Sequence, residues 1–400
     1  MQRRHLLQLG LGAACGLPVT RLWAAPSGDT PRLLVVFLRG AYDAASLLVP
    51  YGADFYYEAR PNIAVPRPDS GPQAALRLDD AWALAPAVAD SLMPLWQRGQ
   101  LAFVPFAGTA DTSRSHFETQ DHIELGGPDN GSRDFRSGFM NRLATVLGAE
   151  HPARLEAMAF TDQVPLILRG PTPVANQALR ELGKPLLTPA QAEAITRMYA
   201  GTPLAGTVSG GFEVREAVSR EMAGEMEAAS RNAIAAKGFA VEARRIARLM
   251  RERVTLGFVD VGGWDTHVAQ GGASGALATR LGELGRGLAA FADEMGPQWG
   301  QTTVVVLSEF GRTFRENGNR GTDHGHGSVY WVLGGGVRGG RIAGEQVALS
   351  AATLFQNRDW PVLTDYRALL GGVMQRLYGL SPAQVAAVFP GATAQDLGLV

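Results

Sequence analysis

Short runs of this chain are apolar at nearly every position, where a half-buried strand would alternate. They are "RLLVVFL" (32–38), "QLAFVPF" (100–106), "RVTLGFVDV" (253–261), "TTVVVLS" (302–308) and "SVYWVLGG" (328–335). Strands covered on both faces read this way, because neither face meets water. Between them lie segments of helical period at about 86–98, 116–125, 213–252 with a break, 276–295 and 364–378. Strands separated by helices predict an α/β fold, a mainly parallel sheet with helices on both faces. "LTPAQAEAI" at 187 and "LSPAQVAAV" at 380 are two helix starts sharing one device, a Thr or Ser cap before a Pro at the first helical position. The Gly-rich stretches 200–217 and 262–275 read as loops and lack the length of an interdomain linker. Residues 26–400 are therefore expected to form one domain.

Composition narrows the class. At 400 residues, 46% hydrophobic and 19% charged, the chain is ordinary globular protein with a large core to bury. Its formal charge of −1, from 37 basic and 38 acidic side chains, gives no basis for a nucleic-acid surface or an electrostatic membrane anchor. Residues 1–25 differ: Arg3 and Arg4 precede a short apolar run broken by Gly and Pro, ending in Trp23-Ala24-Ala25. That is an export signal of twin-arginine type, too short and interrupted to span a bilayer. The expected destination is periplasmic or secreted, with the twin-arginine translocase as a transient partner and no stable membrane anchor. Cleavage there removes Cys15, the only cysteine, so neither a disulfide nor a thiolate ligand remains.

The polar residues follow the strands. In an open parallel sheet the loops beyond the carboxyl ends converge on one rim, where sites form. Asp43 follows the first strand, Asp260, Asp265 and His267 the third, and Glu309 and Arg312 the fourth. "GTDHGHGSVYW" (321–331) adds Asp323, His324 and His326 just before the last run. Carboxylates that close repel one another, and a shared cation removes the repulsion. The mixture of carboxylate and imidazole suits Zn or Mn, in one or two ions. "GTADTSRSHFETQDH" supplies a nucleophile in Ser115, which also opens a helix as the cap of a Ser115-x-x-Glu118 box. Thr112, Ser113 and His116 are the fallbacks.

"VVFLRGAYDAASLLVP", "SHFETQD", "VDVGGWDTH", "SEFGRT" and "GTDHGHGSVYWVLGGGVRGG", in this order, resemble an exported bacterial family, domain of unknown function 1501. That family resembles a remote branch of the alkaline phosphatase and sulfatase superfamily. The resemblance implies an alkaline phosphatase-like α/β fold, divalent metal, and hydrolysis of a small-molecule phosphate or sulfate ester. Ser115 would attack, and Arg312 or Arg39 would neutralise developing charge. Asp43, Asp260 or Asp265 with His267, Glu309, Asp323, and His324 or His326 would hold metal. Glu309 stands where the wider superfamily has an Asp-His pair, and no C/S-x-P-x-R context is present, which disfavours a formylglycine sulfatase. The competing reading is a non-catalytic exported accessory or assembly protein.

Overall fold

The computed structural model describes residues 31–128, 134–150, 155–178, 189–208, 210 and 238–400. The export signal, the Thr188 cap and most of the expected 213–252 helix lie outside them.

Strand β1 (Arg32–Leu38) is central to the large sheet. The short strands β2 (Leu48–Val49), β3 (Leu76–Arg77) and β4 (Ala83–Leu84) make a separate three-stranded sheet, in the order β2-β4-β3. The large sheet continues with β5 (Leu101–Gly108), β6 (Ala157–Ala159), β7 (Ala175–Asn176), β8 (Leu256–Val261) and β9 (Thr302–Ser308). It is completed by β10 (Ser328–Gly334), β11 (Arg341–Ile342) and β12 (Thr364–Asp365). The order is β11-β5-β10-β9-β1-β8-β6-β7, with β12 beside β5. The pairings are parallel except those of β10, which runs antiparallel to both β9 and β5. No helix intervenes between β9 and β10, and without that crossover the chain returns in the opposite direction.

Alternate residues of one strand enter two cores. Leu34, Val36 and Leu38 of β1 join one cluster and Leu33, Val35 and Phe37 the other. The first core is closed by α2 (Leu92–Gln97), α6 (Phe239–Glu252) and α7 (Ala276–Met295), with α1 (Asp54–Ala59) at its margin. The second is closed by α3 (His116–Leu125), α4 (Phe139–Glu150), α8 (Tyr366–Tyr378) and α9 (Pro382–Val388). Helix α5 (Pro189–Tyr199) carries the exposed Met198. This is the expected architecture: an uninterrupted apolar strand has two hydrophobic faces, and each needs a helical layer. Each fully buried Val or Leu contributes about 1.5–3 kcal/mol relative to exposure.

Local chemistry sets several ends. Ser381 and Gln384 form a reciprocal capping box at α9, with Pro382 in its first turn. Expected helix 364–378 begins two residues later, because Thr364 and Asp365 pair with β5 and Asp365 then caps α8. Expected helix 86–98 divides into a 3₁₀ turn at Pro86–Val88 and the short α2. Helix α4 has no counterpart in the sequence reading, since buried Asn141 and half-buried Arg142 interrupt its apolar face. Both bond backbone carbonyls instead of water. Among the described residues no helix is long and apolar enough to cross a membrane.

Candidate metal centre

Because β10 runs backwards, its leading loop lies at the same rim as the carboxyl ends of β1, β5, β8 and β9. The glycines of "GTDHGHG" make that possible. A Cβ on Gly325 would collide with the Arg312 backbone, and one on Gly321 with the His267 carbonyl. The loop thus stacks backbone against backbone, and Arg312 and His324 form an isolated antiparallel bridge.

Three imidazoles converge there on Asp265. His267 Nε2 lies 2.8 Å from Asp265 Oδ1 and His324 Nε2 lies 3.3 Å from the same oxygen. His116 Nε2 faces Asp265 Oδ2 at 3.6 Å. Each ring is held from behind through Nδ1: His116 to Glu309 Oε1 at 2.8 Å, His267 to Asp323 Oδ1 at 3.1 Å, and His324 to the Arg114 carbonyl at 3.0 Å. A carbonyl or an ionised carboxylate can only accept, so each Nδ1 donates outward and each Nε2 is left facing Asp265.

Two observations show that this set fits a divalent cation. His267 Nε2 and His324 Nε2 are 3.2 Å apart. Two nitrogens bound at about 2.0–2.1 Å to a tetrahedral ion stand roughly 3.3–3.4 Å apart. His116 Nε2 is buried and has no hydrogen-bond partner. His116, Asp265 and His324 each offer a ligand atom, all within 4.8 Å of one another. Two imidazoles and one carboxylate thus form a grouped donor set of the kind that divalent metals take, with His267 beside it on Asp265 and His324.

The other rim acids do not join the cluster, and each has a partner of its own. Asp43 is fully buried and gripped by Arg60 at 2.6 and 2.9 Å, with further bonds from Ser46 and Gln270. Burial pushes its carboxyl up, but the Arg60 charge and these hydrogen bonds outweigh burial and hold it below the usual range. Asp260 pairs with Arg39 at 2.6 Å, so Asp265 is the acid brought to His267. Glu309 is buried and saturated by Gly40 N–H, Gln120, His116 and Ser308. It stands behind His116, as Asp323 stands behind His267. His326 packs against the Phe355 ring at 4.6 Å, away from Asp265, so His324 is the member of that pair in the cluster.

The expected arginines are likewise committed. Arg312 is fully buried and bonds Asp265 Oδ1 and Thr322, which suits holding that carboxylate rather than reaching a substrate. Burial pushes Asp265 up, and the Arg312 hydrogen bond and charge more than offset it. Arg39 bonds Asp260, Glu124 and Gln120 together, linking β8 to α3.

Ser115 caps α3 as its spacing predicts, its Oγ accepting from Glu118 N–H at 3.5 Å. Of the fallbacks, Ser113 Oγ contacts Thr119, Thr112 is exposed, and His116 is a member of the cluster. Sequence reasoning gave no role to Arg60, Arg114, Gln120, Gln270 and Asp359.

Solved structures similar to the chain include three of low identity. One is titled as Ps i-CgsB in complex with k-i-k-neocarrahexaose: 10% identity, TM-score 0.35, covering 89% of this chain and 74% of that one. Another, of Ps i-CgsB, has 10% identity and TM-score 0.31, with the same coverage. The third is a protein in the alkaline phosphatase superfamily from Vibrio parahaemolyticus, with 9% identity, TM-score 0.31, and coverage of 78% and 62%. Likeness this low carries no weight for activity. No curated protein matches the chain. The match that does identify it is to a family model, a protein of unknown function (DUF1501), over residues 30–389, and the chain belongs to that family.

Proposed function

We propose that the protein is a hydrolase of a small-molecule phosphate or sulfate ester, built around one divalent cation, Zn or Mn, held by His116, Asp265, His267 and His324. The observation that carries this reading is the set of three Nε2 atoms turned toward one carboxylate, each ring fixed through Nδ1. A cation bound there supplies Lewis acidity to a phosphoryl or sulfuryl oxygen. Ser115 precedes His116 at the N-terminus of α3, where backbone N–H groups and the positive helix end favour an anionic group. Its one long hydrogen bond leaves the hydroxyl free to turn and attack. Arg312 keeps Asp265 oriented, and Glu309 and Asp323 keep two of the rings. The twin-arginine leader and a periplasmic or secreted location belong to the same reading.

The test is turnover of p-nitrophenyl phosphate, bis-p-nitrophenyl phosphate and p-nitrophenyl sulfate, before and after chelation and with Zn²⁺ or Mn²⁺ restored. Metal-dependent turnover of one of these, lost in Ser115→Ala, supports it. Turnover indifferent to chelation, or none with the metal bound, defeats it.

One observation favours the accessory reading instead. Asp43, Asp260 and Asp265 each have an arginine, so these three rim acids are matched without a cation. On that reading the purified protein is stable, metal-free and inert toward all three substrates.

A further inference from the structure

Arg114 has φ +54°, in the left-handed region where a residue with a side chain is strained. It lies just before Ser115 and His116, and its carbonyl accepts from His324 Nδ1 at 3.0 Å. Its guanidinium is clamped. Nε and Nη2 donate to Asp359 Oδ2 at 3.0 and 2.7 Å, and Nη2 also reaches Gln356 Oε1 at 2.7 Å.

Asp359 is fully buried and anchored by backbone bridges to Thr313 and Phe355. Burial pushes its carboxyl up, and Arg114 and Arg358 offset only part of that. Arg358 lies 3.6 Å from Asp359 Oδ2 and donates to the His324 carbonyl at 2.7 Å. The two arginines beside one buried carboxylate therefore hold His324 at its ring and at its backbone.

We propose that the Arg114–Asp359 pair positions His324: it locks the Arg114 backbone in its left-handed conformation, so that the carbonyl fixes the His324 ring with Nε2 toward Asp265. This rests on the reading of His324 as a ligand.

The strain supplies the test, because glycine adopts φ near +54° freely and alanine does not. Arg114→Ala and Arg114→Gly remove the same charge and the same hydrogen bonds to Asp359, but only alanine keeps the reason for the backbone to relax. Zn²⁺ affinity is measured by competition with a chromogenic chelator, with the absorption spectrum of the Co²⁺-loaded protein reporting imidazole ligation. Folding is checked by urea titration of metal-depleted protein.

Arg114→Ala is expected to weaken Zn²⁺ binding about 10- to 100-fold, the usual cost of losing a group that orients a ligand. Arg114→Gly should recover most of that loss. Asp359→Asn, which keeps the shape but loosens the clamp, should bind more weakly than Arg114→Gly and serves as comparator should the alanine variant not fold. Glycine binding as weakly as its comparator, or no loss in any variant, overturns the inference. Wild-type protein that binds no Zn²⁺ ends the metal reading as well, whereas wild-type binding with unchanged variants ends only this one.

Discussion

Asp43 and Arg60 form a two-pronged ion pair with both side chains essentially inaccessible to water. Asp43 thus sits at the rim of the sheet, where the sequence expects a metal ligand, with its charge already matched by the protein.

Removing one partner of such a pair strands the other in the interior. Asp43→Asn should therefore destabilise the metal-depleted protein by about 3–5 kcal/mol, while Zn²⁺ affinity per folded molecule stays unchanged. Urea titration and a Zn²⁺ competition assay give the two numbers. Affinity falling with stability held would return Asp43 to the ligand set.

The same pair sets an acid response. The folded Asp43 pKa is depressed below its unfolded value of about 4. Its contribution to stability is present above that unfolded value and is lost as pH falls through the lower folded one. As pH falls below about 4 the wild type should progressively lose its stability advantage over Asp43→Asn. Urea midpoints that change in parallel for the two proteins would contradict this.

Metal stoichiometry follows from which acids are free. With Asp43 on Arg60 and Asp260 on Arg39, the described residues offer one grouped donor set. Calorimetric titration should give one Zn²⁺ per chain, with His267→Ala weakening binding by well over tenfold and His326→Ala leaving it unchanged. Two equivalents, or tight binding that survives His267→Ala, would contradict the assignment.

Glu309 tests the support behind a ligand. Glu309→Gln keeps the shape but weakens the acceptor for His116 Nδ1, and should reduce Zn²⁺ affinity about 10- to 100-fold. Its far-UV circular dichroism should match the wild type. Unchanged affinity would mean that His116 is not a ligand.

Ser115→Ala separates binding from chemistry. Zn²⁺ affinity should remain within about twofold, since a surface cap contributes only ~1 kcal/mol to the fold, while ester turnover falls by orders of magnitude. Unaltered turnover would assign the attacking group elsewhere.

The strands and most helices were legible in the chain because burial on two faces leaves an apolar run, and caps such as Ser115 and Ser381 act within one turn of themselves. The rim was legible too: Asp265, His267 and His324 follow or precede strands, and the sheet topology sets both imidazoles against that one carboxylate. His116 was visible only as a fallback, since a first-turn histidine looks the same whether it faces water or a centre.

What each acid does was decided by the tertiary structure. A carboxylate binds a cation or an arginine according to which the fold sets beside it. Those partners lie 17 residues away for Asp43, 221 for Asp260 and 245 for Asp359. Local pattern records burial and turn chemistry because both act between near neighbours along the chain. Charge pairing acts through space, and only the wound sheet fixes those distances.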